Sequence, residues 1–423
     1  MEVSITDISE VEKEMHIQTS AEELIPHFEE AYKRYQPKIE LHGFRKGKAP
    51  LDLVKKIYGE SIEYSSLDTI ASDVYRGIVE ERNLQPIGEP VLTDLDYKRG
   101  TGLTFKVKYE IKPNVVVQEY RNLPVEKLVH TITDKEVQDE IYRLRKANAT
   151  LEEVQQVTDD DHLVTADIQQ LDAGGSPLIG KKTPDAKLYL ADDTLYPEIR
   201  DALRTGSTGA SLRVKVDHTH DKEQHTDYLE LAVKKIEKTN LPVLDDEFVK
   251  KITKGRTVSV DAFMQQLRQD LEQYWKDRSE QRLSDTIIGE IVKRHPLTVP
   301  ESLVKGVLDS LIEDLRNRYP KKKFPPDFNE QAFRESNRNY AVFQAQWYLL
   351  RESIINKEGI TAGEADLRKR ADQDAPNVGI DKDRLYQFYE TSAQVKDRIV
   401  SEKLMEFLTT HQSITEKVTE EAF

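Results

Sequence analysis

The sequence predicts a multidomain α+β protein, with an α+β N-terminal region, a β-rich middle and an all-α C-terminal half. Three observations carry that reading. Leu103, Phe105, Val107, Tyr109 and Ile111 alternate strictly with Thr104, Lys106, Lys108 and Glu110, the period of a half-buried strand, which Pro113 ends. Between residues 151 and 240, short apolar runs are broken by Gly174-Gly175 and by the turn-rich Thr205–Gly209. From about 243 to 423 apolar residues recur at helical spacing almost without interruption.

Taken in order, Met15, Ile17 and Thr19 alternate as a strand. Ser20-Ala21-Glu22-Glu23 is a capping box, and Leu24, Phe28, Tyr32 and Tyr35 follow at helical spacing. Pro26 falls early in that helix, where its ring and missing N–H predict a kink or a delayed start. Pro50 is placed to open a short helix through Tyr58. A longer one should follow from about Ser61 to Arg82, burying Ile62, Leu67, Ile70, Val74 and Ile78. A second capping box, Thr133-Asp134-Lys135-Glu136, opens a helix through Ile141 and Leu144 to about residue 150. Its narrow apolar stripe suits a helix that connects bodies.

The middle strands fall at Leu163–Leu171, Ala186–Leu190, Leu212–Val216 and Tyr228–Ile236. Farther on, Val260, Phe263, Leu267, Leu271 and Trp275 form one stripe. Pro300-Glu301 opens a helix with Leu303, Val307, Leu311 and Leu315 on one face. Asn329–Lys357 carries Phe333, Tyr340, Phe343, Trp347 and Leu350, and Val395, Ile399, Leu404 and Leu408 mark a last helix. Pro320, Pro325 and Pro326 break the set between Tyr319 and Asp327.

Bulk properties narrow the function. A chain of 423 residues holds roughly two to four domains. With no cysteine there is no disulfide framework, thiol nucleophile or cysteine metal site. Met1-Glu2-Val3-Ser4 shows no basic region followed by an apolar core, and no uninterrupted apolar stretch approaches ~18 residues. A soluble cytoplasmic protein without a membrane partner is the expectation. The formal charge of −15 argues against general nucleic-acid binding. From His42 to Ile57, however, Arg45, Lys46, Lys48, Lys55 and Lys56 stand against Asp52 alone, which fits one small docking site.

That cluster contains His42-Gly43-Phe44-Arg45-Lys46-Gly47-Lys48-Ala49-Pro50. Gly43 and Gly47 permit sharp turns at both ends and push Phe44-Arg45-Lys46 outward. An exposed ring beside a guanidinium makes a contact surface, because the ring gains by leaving water and the cation pairs with carboxylate or phosphate. The bland alternative is an ordinary basic turn.

Gly43-Phe44-Arg45-Lys46-Gly47-Lys48 followed by Pro50 resembles the ribosome-docking signature of bacterial trigger factor, a chaperone that meets nascent chains at the tunnel exit. The family places Pro before the first Gly, where this chain has His42. Leu144–Thr150 resembles the family's linking segment, and Leu241-Pro242-Val243-Leu244-Asp245-Asp246-Glu247-Phe248 its junction into the helical half. The resemblance implies a ribosome-docking domain at 1–115, a linker with its connecting helix at 116–150, an FKBP-like domain at 151–242 and a helical substrate-binding domain at 243–423. It implies ATP-independent action without a cofactor. The partners implied are the large ribosomal subunit near the tunnel exit and nascent or unfolded polypeptides, and a homodimer of the free chain is left open. Gly43, Phe44, Arg45, Lys46, Gly47 and Lys48 would make the ribosome contact.

An FKBP-type isomerase takes the prolyl amide into a dry, aromatic-lined pocket, where the twisted bond is favoured over the planar one. Residues 151–240 offer only Tyr189, Tyr196 and Tyr228 as rings. The family's Asp-Phe pair corresponds to Asp167-Ile168, the next Phe roughly to Leu178, and the Phe after Pro-Gly to Ile199, following Tyr196-Pro197. Each change keeps a core residue and removes a ring. The expectation is a retained fold with weak or no isomerase activity, against the alternative of a working prolyl isomerase. His218, His220 and His225 with Asp217, Asp221 and Asp227 could pass for a metal cluster, and a solvated inter-strand loop explains them as well. No metal is expected. Gly174-Gly175 lacks the setting of a phosphate loop, and neither Gly-x-Ser-x-Gly nor His-Glu-x-x-His occurs.

Overall fold

A computed structural model describes residues 1–192, 194–220 and 223–423, the side chains of 219, 220 and 223–225 excepted. Its contacts divide the chain into two compact units, Met1–Glu126 with Arg282–Thr415 and Lys127–Gln281 with Glu416–Phe423.

The first unit begins with β1 (Glu2–Asp7) and β2 (Glu12–Ser20), an antiparallel pair. Ser20 then caps α1 (Ala21–Tyr35). The Glu23 amide donates to Ser20 Oγ at 3.4 Å, and the Ser20 amide donates to Glu23 Oε2 at 2.9 Å. Pro26 sits inside α1 without ending it, and the helix starts at Ala21, so the expected late start does not occur. An interior proline costs about 3 kcal/mol. Burying Leu24, Phe28 and Tyr32, at roughly 1.5–3 kcal/mol each for large apolar side chains, outweighs that cost.

The expected break near residue 60 is also absent, because α2 runs unbroken over Leu51–Glu81. Gly59 costs about 1 kcal/mol inside a helix, less than the burial of Val54, Ile62 and Leu67 returns. Next come β3 (Pro86–Lys98) and β4 (Gly102–Ile111), which complete an antiparallel sheet of order β1-β2-β4-β3. Met15, Ile17, Leu103 and Phe105 point from this sheet into a core closed by α1 and α2. The carboxylate of buried Glu63 accepts from Tyr32 Oη at 2.6 Å and Tyr97 Oη at 2.9 Å, and pairs with Arg99 Nε at 3.1 Å.

The chain then forms β5 (Pro124–His130) and α3 (Asp134–Ala147), the second capping-box helix. In the second unit, β6 (Thr150–Val154), β7 (His162–Leu171), β8 (Pro177–Tyr189), α4 (Pro197–Arg204), β9 (Ser211–His220) and β10 (Glu223–Asn240) build one antiparallel sheet with a short helix. Its order is β6-β10-β7-β8, with β9 also paired to β10. Ile199 and Leu203 of α4 pack on Val164, Val214, Leu231 and Ile236. β8 starts nine residues before the expected Ala186, because its exposed first half pairs with β7 through irregular register. Asp245 caps α5 (Asp246–Ile252), which precedes α6 (Val260–Arg294). Val137 and Ile141 of α3 bury against Val249, Phe263 and Leu267.

Returning to the first unit, α7 (Glu301–Arg318) and α8 (Glu330–Glu358) pack Val304 and Leu308 against Ala341 and Ala345. They are followed by α9 (Glu364–Val378), α10 (Lys382–Thr391) and α11 (Ala393–Thr410). Leu283, Ile287 and Ile291 of α6 meet Leu350, Leu404 and Leu408 in the main helical core, which also takes in Tyr120 and Leu123. The expected all-helical ending needs one correction. β11 (Ser413–Thr419) pairs with β5. Its partner lies so far back in the chain that no local periodicity exposes it. No described helix is long and apolar enough to cross a membrane.

Candidate functional site

Between α1 and α2 the chain forms the loop expected to make contact, and its base is clamped. Ile39 and Leu41 pack on the sheet–helix core, and Ala49 is buried. The Gly47 amide donates to Ile39 O at 3.0 Å, and Gln36 Nε2 donates to Ala49 O at 2.7 Å. Gly47 is needed twice over. Its φ is +74°, and a Cβ there would stand 2.9 Å from the Pro37 backbone. Gly43 has φ +88° but faces open space.

Beyond the clamp the tip is solvated. Phe44 is 43% exposed, and Arg45, Lys46 and Lys48 are exposed beside it. The Phe44 amide donates to Leu41 O and the Lys48 amide to Arg45 O, so the tip is two linked turns. Lys46 Nζ lies 3.4 Å from Glu40 Oε1, an exposed pair that contributes little. Among the described residues, Arg45 and Lys48 form no ion pair. A ring and three cations thus project from a rigid base, at no cost in burying charge.

The residues matched to an isomerase pocket divide between core and surface. Ile199 is buried in the core and Ile168 packs against it, whereas Leu178 on β8 and Tyr196 before α4 are exposed. Pro197 is the first residue of α4. Asp167 Oδ2 lies 2.8 Å from Lys182 Nζ, and Oδ1 is 2.5 Å from Lys234 Nζ and accepts from the Asp185 amide at 3.0 Å. Lys182 first, then Lys234 and that amide, hold its carboxyl well below the usual carboxylate range. Of the three rings, Tyr189 donates to Asp161 and lies under Lys146, and Tyr196 stands 6.0 Å from the His218 ring.

In the histidine–aspartate cluster, Asp221 and the side chains of His220 and His225 lie outside the described residues. His218 Nδ1 is 3.9 Å from Asp227 Oδ2, and Asp217 accepts from Lys215 and Thr226.

Sequence periodicity could not separate core from surface in the helical half. The structure separates them between α7 and α8, where a cavity of about 460 Å³ is lined by Leu303, Val307, Leu311, Tyr340, Ala345 and Tyr348. Tyr340 and Tyr348 are about half exposed on its rim. Gly306 adds no side chain to its wall. This is an apolar trough with hydroxyls at its edge, suited to side chains of an unfolded segment.

Comparison with known proteins follows the same geography. The family described as "Bacterial trigger factor protein (TF)" matches residues 1–144, and "Bacterial trigger factor protein (TF) C-terminus" matches residues 259–410. The trigger factor of Prosthecochloris aestuarii is 29% identical, covering 95% of this chain and 93% of its own length. A solved trigger factor chaperone covers 97% of this chain and 99% of its own at 18% identity, with a TM-score of 0.49. The trigger factor of Salinibacter ruber is 30% identical over 100% of this chain and 96% of its own. On that full-length similarity, this chain belongs to the bacterial trigger factor family.

Proposed function

We propose that the chain docks on the large ribosomal subunit beside the tunnel exit through Gly43–Lys48, and there holds newly made polypeptides without consuming nucleotide. The observation that carries this reading is the contrast within one loop. Gly47 is locked against Pro37 while Phe44, Arg45 and Lys48 stand free in solvent. Phe44 enters an apolar crevice, Arg45 donates charge-assisted bonds to carboxylate or phosphate, and Lys46 and Lys48 add attraction. Pre-ordering the backbone lowers the entropy lost on docking.

Clients lie in the trough between α7 and α8, held by dispersed apolar contacts that need no catalytic residue. In this division of labour, 1–115 docks, 116–150 links, 151–242 keeps an isomerase-like fold with little or no activity, and 243–423 holds clients. The setting is the cytoplasm. A homodimer of the free chain belongs to the same proposal, and sedimentation velocity over a concentration series reads it.

The test is co-sedimentation with 70S ribosomes, comparing the native chain with Phe44→Ala/Arg45→Ala/Lys46→Ala. Loss of binding in the variant alone supports docking through the loop. Equal pelleting makes the loop a structural turn, and absence of binding by both removes the ribosome from the proposal.

A further inference from the structure

The turn between α7 and α8 is a second basic tip on an acidic chain. Arg316, Arg318, Lys321, Lys322 and Lys323 fall within eight residues that contain no acid, on a chain of formal charge −15. Arg316 is held by Glu313 at 2.5 Å and lies over the Phe324 ring. Among the described residues, Arg318 and the three lysines form no ion pair, and all four are exposed. With a screening length of about 8 Å at physiological salt, a ligand at this tip feels these charges and not the net charge of the chain.

The tip is also stiff. Phe324 stacks on Phe328 with centroids 4.0 Å apart, Tyr319 meets Phe324 edge-on at 5.5 Å, and Phe333 adds to the row. Pro320, Pro325 and Pro326 restrict the backbone around that knot. Lys321 and Lys322 both adopt left-handed backbone, at φ +57° and +55°. Side chains disfavour that conformation, and the turn holds it with backbone bonds, the Lys322 amide donating to Tyr319 O at 3.0 Å and the Lys323 amide to Pro320 O at 3.4 Å. With the backbone turned this way, the three adjacent lysines are all exposed to solvent.

We infer that this tip binds the phosphate backbone of structured RNA, as a second contact of the chain besides the Phe44 loop. Lysines act as point charges toward phosphate, and their three-in-a-row exposure matches a regularly charged strand better than scattered carboxylates. The rings are half-buried and turned onto one another, so the exposed part of the tip is its cations and not an aromatic surface. Binding is therefore sequence-independent and strongly salt-dependent. The location on ribosomal RNA rests on the docking reading above, whereas the chemistry of the tip does not.

The experiment uses the full chain and Lys321→Asn/Lys322→Asn/Lys323→Gln, asparagine being chosen because it tolerates left-handed backbone. Affinity for a labelled short RNA hairpin is followed by anisotropy as salt rises, and ribosome pelleting is followed over the same range. The variant should bind the hairpin roughly tenfold more weakly at low salt, with the slope of log affinity on log salt smaller by about 2–3. Equal affinity and slope overturn the proposal, as does capture of the native chain by anionic vesicles without binding to RNA. A native chain that binds the hairpin through its tip but never pellets with ribosomes upholds the tip and sinks the docking reading.

Discussion

Glu110, near the end of β4, caps α7 from a strand 191 residues earlier in the chain. Its Oε1 accepts the Glu301 amide at 3.0 Å and its Oε2 the Ser302 amide at 2.9 Å. Pro300 stands at the cap position and supplies no side-chain acceptor, so a remote carboxylate satisfies the free amides and complements the positive helix end. Glu110→Ala should destabilise the chain by about 1 kcal/mol and speed hydrogen exchange at Glu301 and Ser302, while Glu110→Gln keeps an acceptor and loses less. Unchanged exchange at both amides in Glu110→Ala would show that water or a neighbour replaces the cap at no cost.

The two loop glycines should behave differently. Gly43→Ala meets open space and carries only the strain of its positive φ, about 1–2 kcal/mol. Gly47→Ala adds a Cβ 2.9 Å from the Pro37 backbone, which cannot rotate away, so the base of the loop must shift. If the chain docks through this loop as proposed, ribosome affinity should fall by more than about tenfold for Gly47→Ala, and by clearly less for Gly43→Ala. Equal losses would mean that tip conformation, not the clamp, governs docking.

Tyr75 predicts a stabilising substitution. Its side chain is buried beside Tyr109, its hydroxyl has no hydrogen-bond partner, and it lines a cavity of about 390 Å³ between α2 and β3. Burial, with a smaller contribution from Tyr109, pushes its phenol up to about 12. Tyr75→Phe should raise stability by about 1 kcal/mol at neutral pH, since it removes an unpaired buried hydroxyl. The sign at high pH follows from the same shift. Below pH ~10 both folded and unfolded chains keep the phenol protonated. Between there and about 12 only the unfolded chain ionises, so stability falls as pH rises, and the Phe variant should lack that share of the fall. Urea titrations at pH 7 and 11 check both statements. A less stable Phe variant at pH 7 would reveal a partner for the hydroxyl.

Local signals carried most of the fold that was legible in advance. Ser20–Glu23 and Thr133–Glu136 each specify a helix start within four residues, and both boxes form as read. The alternation of Leu103–Ile111 needs no distant information, and it lies inside β4. What escaped depends on partners far away. β11 is polar and short, and only β5 makes it a strand. Pro86, Gly88 and Pro90 disguise β3, which pairs with β4 through irregular register. Glu110 reads as a solvent-side strand residue, and nothing nearby marks it as a helix cap. At the loop, residue types announced an exposed ring and cations, but the clamp of Gly47 on Pro37 arises only when the two ends of the loop fold together.

Asp167 gives a test on the acid side. With Lys182 and Lys234 holding its folded pKa below the ordinary value, both states are ionised above pH ~5 and the two ion pairs contribute in full. As pH falls below that, the unfolded chain takes up the proton first, so stability drops until the folded carboxyl protonates as well. Asp167→Asn should therefore show a shallower loss of stability between pH 5 and 3 than the native chain, the other carboxylates supplying the slope that remains. Parallel slopes would mean that the lysines exchange Asp167 for solvent freely.

The same stretch decides the enzymatic question. Uncatalysed prolyl rotation faces ~18–20 kcal/mol and takes tens to hundreds of seconds, so a working pocket must be evident in a proline-limited refolding assay. Ile199 fills the core between α4 and the sheet, and Ile168 lies against the same cluster, where a catalytic cage would need rings facing a cleft. The chain should leave the slow refolding phase of a reporter protein nearly unchanged at substoichiometric amounts. Ile199→Phe should not restore activity, because the larger ring enters a filled core and costs about 1–3 kcal/mol. A dose-dependent acceleration by the native chain, abolished by Tyr196→Ala, would instead place an active site at the exposed ring before α4 and overturn the proposal that 151–242 keeps the fold without the activity.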